Sequence, residues 1–212
     1  MRVRAAGGVE GTGGESRTFT ATARRAQIVR AAIETIAEVG FARASFARIT
    51  EQAGLSSTRL ISYHFAGKDE LIERIVQEVY AANARFVAER MQGSRGAAES
   101  LATHIRAGVE FIGTHRTQMK AMLAIFLSGG LHYDAATDRS VVSPIEEILR
   151  DGQAAGEFRD FDTRVMATTI QRAIEGLPFL LDSEPDLDLD AYAGELTTLF
   201  ELATRPEQVE RP

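Results

Sequence analysis

The chain contains no cysteine, and no stretch of it approaches the roughly 18 consecutive apolar residues that a membrane-spanning helix requires. The lack of cysteine excludes disulfide bonds, thiolate metal sites and cysteine nucleophiles. The first residues also lack the apolar core of a secretory signal peptide. We therefore expect a cytoplasmic protein built around an ordinary hydrophobic core, for which 212 residues are ample.

Signatures of catalysis are also missing. The sequence has no Gly-x-Ser-x-Gly nucleophile motif and no His-Glu-x-x-His zinc motif. His104 and His115 share a helical face, but they are separated by roughly 16 Å, which is too far to share a metal ion or a proton. His132 with Asp134 and Asp138 is a weak metal signal, because loop carboxylates are usually solvated. We expect no enzymatic activity, no metal and no cofactor.

The net charge of −6 conceals an uneven distribution. Residues 1–68 carry ten Lys or Arg against five Asp or Glu, whereas residues 69–212 carry fourteen against twenty-five. Proteins that bind nucleic acid concentrate positive charge where they meet the phosphates, and the total charge of the chain matters less. A basic N-terminal third joined to an acidic remainder is typical of a DNA-reading head on a body that does not bind DNA.

Two short helical patterns meet at a tight corner between Phe46 and Phe65. Ser45 is a good N-cap for the first helix, and Gly54 supplies the left-handed conformation that ends it. Ser56 or Ser57 can cap the second helix. This succession predicts a helix-turn-helix, in which the second helix is held at a fixed angle to the first.

The second helix has two unlike faces when residues are placed about 100° apart. The inner arc is Leu60, Ile61, His64 and Phe65, and the outer arc is Thr58, Arg59, Ser62 and Tyr63. The outer arc suits the DNA major groove, because Arg binds guanine bidentately and hydroxyls reach phosphates or bases. The alternative is an ordinary solvated helix face.

The flanking residues complete a specific order of elements. Residues 23–39 have helical periodicity and end at Gly40, and another helix opens at Lys68. The order is carried by Glu38-Val39-Gly40-Phe41, Ser45, Ile49, Ala53-Gly54-Leu55-Ser56, Tyr63-His64-Phe65 and Lys68-Asp69-Glu70-Leu71. Over about one quarter of its length the chain thus resembles the N-terminal domain of the tetracycline-repressor (TetR) family of bacterial transcription regulators.

The chain departs from the family pattern at one place. Gly54 and Phe65 enclose ten residues, one more than family members usually have, and the extra residue lies between Gly54 and Arg59. Counted back from Phe65, Ser62 stands where the family commonly has a phosphate-contacting tyrosine. Either Tyr63 takes over that contact or Ser62 makes a shorter one.

The motif and the resemblance together imply a set of DNA contacts on the second helix and on its neighbours. The set is Arg25, Ser45, Arg48, Ser56, Ser57, Thr58, Arg59, Ser62, Tyr63 and Lys68.

The remaining sequence reads as helices without strand-like alternation, which predicts an all-α fold. We expect a disordered leader over residues 1–21, a three-helix DNA-binding domain over 22–68, and a helical effector-binding and dimerisation domain over 69–205. A loop is predicted from Gly129 to Ser140, and Ser143-Pro144 predicts a helix start with a serine cap and proline in the first turn. Asp162 is expected to cap the next helix, and Pro178 to kink it after Gly176.

The last two helices are unusually apolar for the end of a chain. Their apolar stripes are filled either by the rest of the body or by a second subunit. In the TetR family these helices form a four-helix dimer interface, which implies a homodimer that reads a palindromic operator. The candidate interface residues are Ile170, Ile174, Leu177, Leu181, Leu196, Leu199 and Phe200.

Members of the family also bind a small effector in the helical body, which changes the separation of the two heads and releases DNA. Candidate pocket residues are Phe86, Phe111, His115, Met119, Met122, Phe126, His132, Tyr133 and Phe179. The alternative for the Phe and Met residues is ordinary core packing. The resemblance implies a dimeric repressor of this kind. The alternative is a helical protein-interaction module, or a regulator without a small-molecule effector.

Overall fold

The computed structural model describes residues 12–130 and 135–206. These ranges contain helices and turns but no strand, which confirms the all-α prediction for the part of the chain they cover. The helices are α1 Thr12–Val39, α2 Phe46–Gln52, α3 Arg59–His64, α4 Lys68–Met91, α5 Gly96–Thr114, α6 Arg116–Leu127, α7 Ala135–Ala154, α8 Thr163–Glu175, α9 Leu177–Ser183 and α10 Leu189–Thr204, with a 3-10 turn at Phe41–Arg43. We call α1 to α3 the head and α4 to α10 the body.

The first helix starts earlier than its periodicity indicates. Residues 12–21, assigned above to a disordered leader, belong to α1. Propagation adds one hydrogen bond per residue to an existing helix, so the register set by buried Ile28, Ala32 and Ile36 extends toward the N-terminus at little cost. The rest of the predicted leader, residues 1–11, lies outside the described residues.

One hydrophobic core joins the head to three helices of the body. Ile28 of α1, Ile49 of α2 and Ile61 of α3 are buried together, and the same core includes Ile75 of α4, Phe111 of α5 and Ile125 of α6. The head therefore does not end as a packing unit at residue 68, because α4, α5 and α6 contribute residues to its core. The domain boundary at that position stays a prediction.

A second core fills the far half of the body. It is formed mainly by α5, α7, α8 and α10, and its largest buried residues include Leu101, Ile105, Ile145 and Phe200. Tyr192 of α10 donates its hydroxyl to the carbonyl of Ala173 of α8 at 3.2 Å. The second core thus holds α8 and α10, the two elements predicted to face a second subunit.

The predicted helix start at Ser143-Pro144 is wrong, because Pro144 lies inside α7. The Ser143 hydroxyl donates to the carbonyl of Arg139 at 2.6 Å instead of capping a helix. A proline removes one helical hydrogen bond, but Val142 before it and Ile145 after it are both buried. Burial on both sides of the proline keeps the helix continuous. The predicted loop shrinks accordingly, since residues 135–140 are helical.

Two other local predictions are confirmed. Asp162 accepts the backbone amide of Val165 at 3.0 Å and caps α8. The following apolar pattern is broken at Gly176, where α8 ends and α9 begins with Pro178 in its first turn. The break turns α9 toward α6, with which it shares the wall of a cavity described below.

Candidate nucleic-acid interface and body cavity

Short polar side chains and one glycine shape the helix-turn-helix at the start of α2 and in the turn between α2 and α3. The Ser45 hydroxyl accepts the amide of Arg48 at 3.4 Å, and Gly54 has a φ of 63°. The Ser57 hydroxyl accepts the amide of Arg59 at 3.1 Å, which identifies Ser57 as the serine that stabilises the start of α3. Because α3 begins at Arg59, the extra residue is accommodated in the turn and the helix itself is undisturbed.

The two faces of α3 are separated as predicted. Ile61 and Phe65 are buried in the head core, while Leu60 and His64 are half-buried. The outward side chains are exposed, and Tyr63 is 81% exposed. The exposed set comprises Thr58, Arg59, Ser62 and Tyr63 on this face, with Ser45, Arg48 and Ser56 beside it. The head therefore presents hydroxyls, guanidinium groups and a phenol on a helix that is anchored from beneath.

Arg25, a predicted DNA contact, makes three contacts within the protein. Its guanidinium lies 4.4 Å from the centre of the Phe65 ring, donates to the carbonyl of His64 and pairs with the Glu70 carboxylate at 3.0 Å. Glu70 also accepts the amide of Ala66 at 2.6 Å. These groups connect α1, the end of α3 and the start of α4. These contacts make Arg25 a brace for α3. Its side chain remains 39% exposed, so a DNA contact by Arg25 stays a prediction.

Glu70 belongs to the family pattern, but its contact with Arg25 was not predicted from the sequence. The hydrogen bond from the Ala66 amide and the contact with Arg25 hold the pKa of its carboxyl below the ordinary value. Its position in the first turn of α4 is a place where glutamate commonly caps a helix, and that is the signal by which it could have been found.

The Lys68 side chain also makes contacts within the protein. Its ammonium group donates to the carbonyl of Phe41 at 3.0 Å and lies 4.0 Å from the centre of the Phe41 ring. The same ring lies against Gly130, where an added Cβ would be 3.0 Å from the ring tip. Phe41 is therefore held between the start of α4 and the end of α6.

His64 supports the exposed Tyr63 ring from one side. The two rings meet edge to face with centroids 5.1 Å apart. Burial, together with the positive charges of Arg25 and Arg24, lowers the pKa of His64 below its ordinary value. The imidazole is consequently neutral at pH 7, and it contributes shape and not charge to the face of α3.

Two glutamines, also missed from the sequence, fasten α2 to α1. Gln27 donates to the carbonyl of Ala53 at 2.6 Å, and Gln52 donates to the carboxylate of Glu34 at 2.7 Å. The first bond satisfies a carbonyl at the end of α2 that has no partner within its helix. No local pattern marks these residues, because each bond joins positions far apart in the sequence.

A cavity of about 520 Å³ lies between α4, α5, α6, α8 and α9. Five predicted pocket residues line it, namely Phe111, Met119, Met122, Phe126 and Phe179. Residues missed from the sequence complete the walls, namely Val79, Tyr80, Asn83, Gly108, Ile112, Leu123, Gln171, Arg172, Ile174, Glu175, Gly176 and Pro178. The break between α8 and α9 therefore borders the cavity.

Phe86 and His115, also predicted for the pocket, are not among the residues that line this cavity. The His115 ring stacks on Phe111 at 4.0 Å, and Phe86 meets both rings edge to face. These two side chains thus support the cavity wall from behind. His132 and Tyr133 lie outside the described residues.

The predicted dimer residues divide into two groups. Ile170, Ile174, Leu177 and Phe200 are buried in the second core of the same chain, so they cannot face a partner. Leu181 and Leu196 are half-buried, and Leu199 is 57% exposed. The sequence identified the apolar stripes correctly but assigned their deepest residues to the wrong side.

Other apolar residues of the same helices are exposed. Val165 of α8 is 62% exposed, and Leu202 of α10 is 56% exposed, one turn from Leu199. Val165, Leu199 and Leu202 follow the same helical periodicity as the core residues. Only their exposure in the structure distinguishes them from the core.

Within the described ranges, no helix is both long enough and apolar enough to cross a membrane. The same ranges contain no group of three or more His, Asp or Glu side chains that could hold a metal ion.

Comparison with known proteins gives a consistent result for the head. Residues 28–75 match the family model described as bacterial regulatory proteins, tetR family. HTH-type transcriptional regulator BetI 1 of Chromohalobacter salexigens is 36% identical over 110 residues, which cover 51% of this chain and 54% of that protein. The alignment thus spans about half the length of this curated relative, and less of the next two.

Solved structures match over most of the chain. A transcriptional regulator from Saccharomonospora viridis in complex with choline is 26% identical with a TM-score of 0.73, covering 88% of this chain and 100% of that one. FadR from Bacillus subtilis in complex with stearoyl-CoA is 21% identical with a TM-score of 0.70, covering 82% and 96%. The arrangement of head and body is therefore shared with proteins of widely different sequence.

Proposed function

We propose that this chain, whose residues 28–75 match the tetR family model, is a dimeric repressor of the TetR family that a small-molecule effector releases from operator DNA. The observation that carries the proposal is the outer face of α3. Arg59, Ser62 and Tyr63 are exposed there, while Ile61 and Phe65 fix the helix to the core. A polar face on an anchored helix is what reading a major groove requires.

The exposed side chains of α3 and of the start of α2 each have a role in this proposal. Arg59 donates to a guanine edge, since a guanidinium can bind O6 and N7 together. Tyr63 and Ser62 donate to phosphates, with the longer Tyr63 in the better position. Ser45 and Arg48 at the start of α2 add contacts to the backbone of the flanking strand. Arg25 and Lys68 act indirectly, by holding α3 and the start of α4.

The exposed apolar residues of α8 and α10 support a homodimer. Val165, Leu199 and Leu202 form the outward part of stripes whose inner part fills the second core. Pairing them with the same residues of a second copy removes them from water in a two-fold arrangement. Two α3 helices related by that axis would read a palindromic operator, with half-sites about one helical turn apart.

The cavity supports the effector-binding part of the proposal. Choline and stearoyl-CoA are bound by the two structural relatives named above, so a ligand in a protein of this architecture has precedent. The cavity volume of about 520 Å³ lies within the range of small-molecule sites. A ligand releases DNA only if it binds the released conformation more tightly than the DNA-bound one.

The proposal is tested by fluorescence anisotropy with a labelled duplex from immediately upstream of the protein's own coding region. A shuffled duplex of equal length serves as the control, and both are titrated at roughly 50 and 200 mM salt. We expect preferential binding to the upstream duplex, with affinity falling steeply as salt rises. Equal, weak binding to both duplexes would support the alternative of a helical protein-interaction module.

A further inference from the structure

We propose that the effector is an uncharged, mainly apolar molecule whose hydrogen-bonding group meets Asn83 in the body cavity. This inference rests on the proposed effector site and adds the chemical class of its ligand. It follows from the charge balance of the cavity wall, the orientation of its aromatic rings and the position of Asn83.

The cavity wall carries no uncompensated charge. Arg172 and Glu175 are the charged residues of the wall, and they form an ion pair with each other on α8. Gln171 donates to the same Glu175 carboxylate at 2.8 Å. A charged ligand would lose hydration on entering and find its counter-ion already paired. An uncharged ligand avoids that cost.

The aromatic rings of the wall do not form a cage for a quaternary ammonium ion. Such a cage needs aromatic faces turned toward the cation. One face of Phe111 is covered by His115, which stacks on it at an interplanar angle of 20°. Phe126 and Phe179 meet edge to face, with centroids 6.1 Å apart and planes at 88°. This geometry favours apolar contact over the binding of a cation such as choline.

The remaining surface of the cavity is adaptable and apolar. Met119, Met122 and Leu123 of α6 line it together with Ile112 of α5 and Ile174 of α8. Methionine side chains adjust to the shape of an apolar ligand. Phe126 and Phe179 are 51% and 46% exposed even though they line the cavity, so they stand where it opens to solvent. A bound apolar molecule would cover part of this exposed surface.

The Asn83 side-chain amide is a polar group that remains available on the wall. It lies on α4 one turn after Val79, is half-buried, and makes no side-chain hydrogen bond with any residue in the described ranges. Its amide can both donate and accept, so it suits a hydroxyl or carbonyl group on a neutral ligand. The geometry assigns the hydrogen-bonding end of the ligand to α4, the helix that follows α3 in the chain.

The inference is tested with three ligands that share a ten-carbon chain and differ in head group: 1-decanol, decanoate and decyltrimethylammonium. Each one, and choline, displaces the fluorescent probe 1,6-diphenylhexatriene, which has no hydrogen-bonding group, from the full-length protein. We expect decanol to displace the probe at a concentration at least about tenfold lower than either charged analogue.

Two variants locate the binding and its polar contact. Asn83→Leu should weaken decanol binding about fivefold, the effect of one lost hydrogen bond, and leave probe affinity unchanged. Met122→Trp should fill the cavity and abolish probe binding, with thermal unfolding confirming that the variant is folded.

Several results would overturn the inference. These are stronger displacement by either charged analogue or by choline, an unchanged decanol affinity in Asn83→Leu, or no probe binding by the native protein. None of these measurements contains DNA, so a failure here is distinct from a failure of the anisotropy experiment, which contains no ligand.

Discussion

Arg25 on α1 lies 3.0 Å from the Glu70 carboxylate on α4, and the same guanidinium donates to the carbonyl of His64 at the end of α3. The pair joins three helices at the point where the chain leaves the reading helix. Both partners remain partly exposed, so the stabilising contribution of the pair to folding is modest. Its larger effect is geometric, because α3 has only the short segment Arg59–His64 with which to keep its orientation.

Loss of this brace should weaken DNA binding without removing a phosphate contact. Arg25→Gln should lower the free energy of unfolding by about 1 kcal/mol and reduce operator affinity, while the dependence of affinity on salt stays unchanged. Arg48→Gln is the matched control, because Arg48 is exposed on α2. It should reduce the logarithmic salt slope by about 1 and leave stability unaltered. A reduced slope in Arg25→Gln would return Arg25 to the set of direct DNA contacts.

The exposed face of α3 should be critical for binding and dispensable for folding. Arg59→Ala should cost about 1–3 kcal/mol of specific binding free energy, and Tyr63→Phe about 1 kcal/mol, with unfolding free energies within about 0.5 kcal/mol of the native protein. The measurements are anisotropy and urea denaturation. Arg106→Ala, at an exposed position of α5, should change neither quantity. Unaltered specific affinity in both α3 variants would mean that another surface reads the DNA.

Charge placed on the exposed stripe of α10 should separate the proposed dimer. Leu199→Glu combined with Leu202→Glu should sediment as a monomer at micromolar concentration and bind the full operator roughly a hundredfold more weakly, because two linked heads bind better than one. Leu127→Glu, at a 68% exposed position at the end of α6, is the control and should remain dimeric. A dimer that survives the double substitution would place the interface elsewhere.

Two helical glycines should respond oppositely to the same substitution. A Cβ at Gly152 of α7 would overlap the Phe158 ring, whereas a Cβ at Gly194 of α10 would meet nothing within 4 Å. Gly152→Ala should therefore destabilise the protein by about 1–3 kcal/mol through overpacking. Gly194→Ala should stabilise it by about 0.5–1 kcal/mol through helix propensity. Urea denaturation measures both. Equal effects would mean that the turn at Phe158 adjusts freely.

Stability should fall with acid in a window set by His104. Burial lowers the pKa of His104 to about 4 from an ordinary value of 6.5. Between these values the unfolded chain binds a proton that the native protein does not, so stability decreases as the pH falls, by roughly 1 kcal/mol per pH unit. His104→Gln should remove most of this slope between pH 6.5 and 5 in urea denaturation.

The acidic groups act in a separate range. The pKa values of Glu70, Glu110 and Glu157 are held below 4.5 by hydrogen bonds from Ala66, Arg90 and Ala98 respectively. The stability that these contacts provide is present above pH 4.5 and is lost as the pH falls further. A slope at pH 5 to 6.5 that persists in His104→Gln would therefore contradict the assignment to this histidine.

The sequence predicted well those features that neighbouring residues determine. Ser45, Gly54 and Asp162 act on backbone groups a few positions away, and each was found where its pattern placed it. The faces of α3 also followed from periodicity alone, since Ile61 and Tyr63 point to opposite sides.

The features that failed depend on residues distant in the sequence. Periodicity locates an apolar stripe but not what covers it. From the sequence, Ile170, which lies in the core, and Leu199, which lies at the surface, were therefore equally good candidates for the dimer interface. The bracing role of Arg25 depends on its ion pair with Glu70, which lies 45 residues away in the sequence. Pro144 shows the same limit, because burial on both sides of it outweighs the local signal to start a helix.

The ring of Phe41 lies between the head and the body and contacts both. Lys68 presses on it from the first turn of α4, and Gly130 meets it just past the end of α6, the helix whose methionines border the cavity. Because residue 130 is a glycine, the backbone just past α6 lies against the ring, and an added Cβ would be 3.0 Å from it. A ligand that displaced α6 from within the cavity would therefore move the segment that contacts this ring, and the same ring contacts the start of α4, the helix that follows α3.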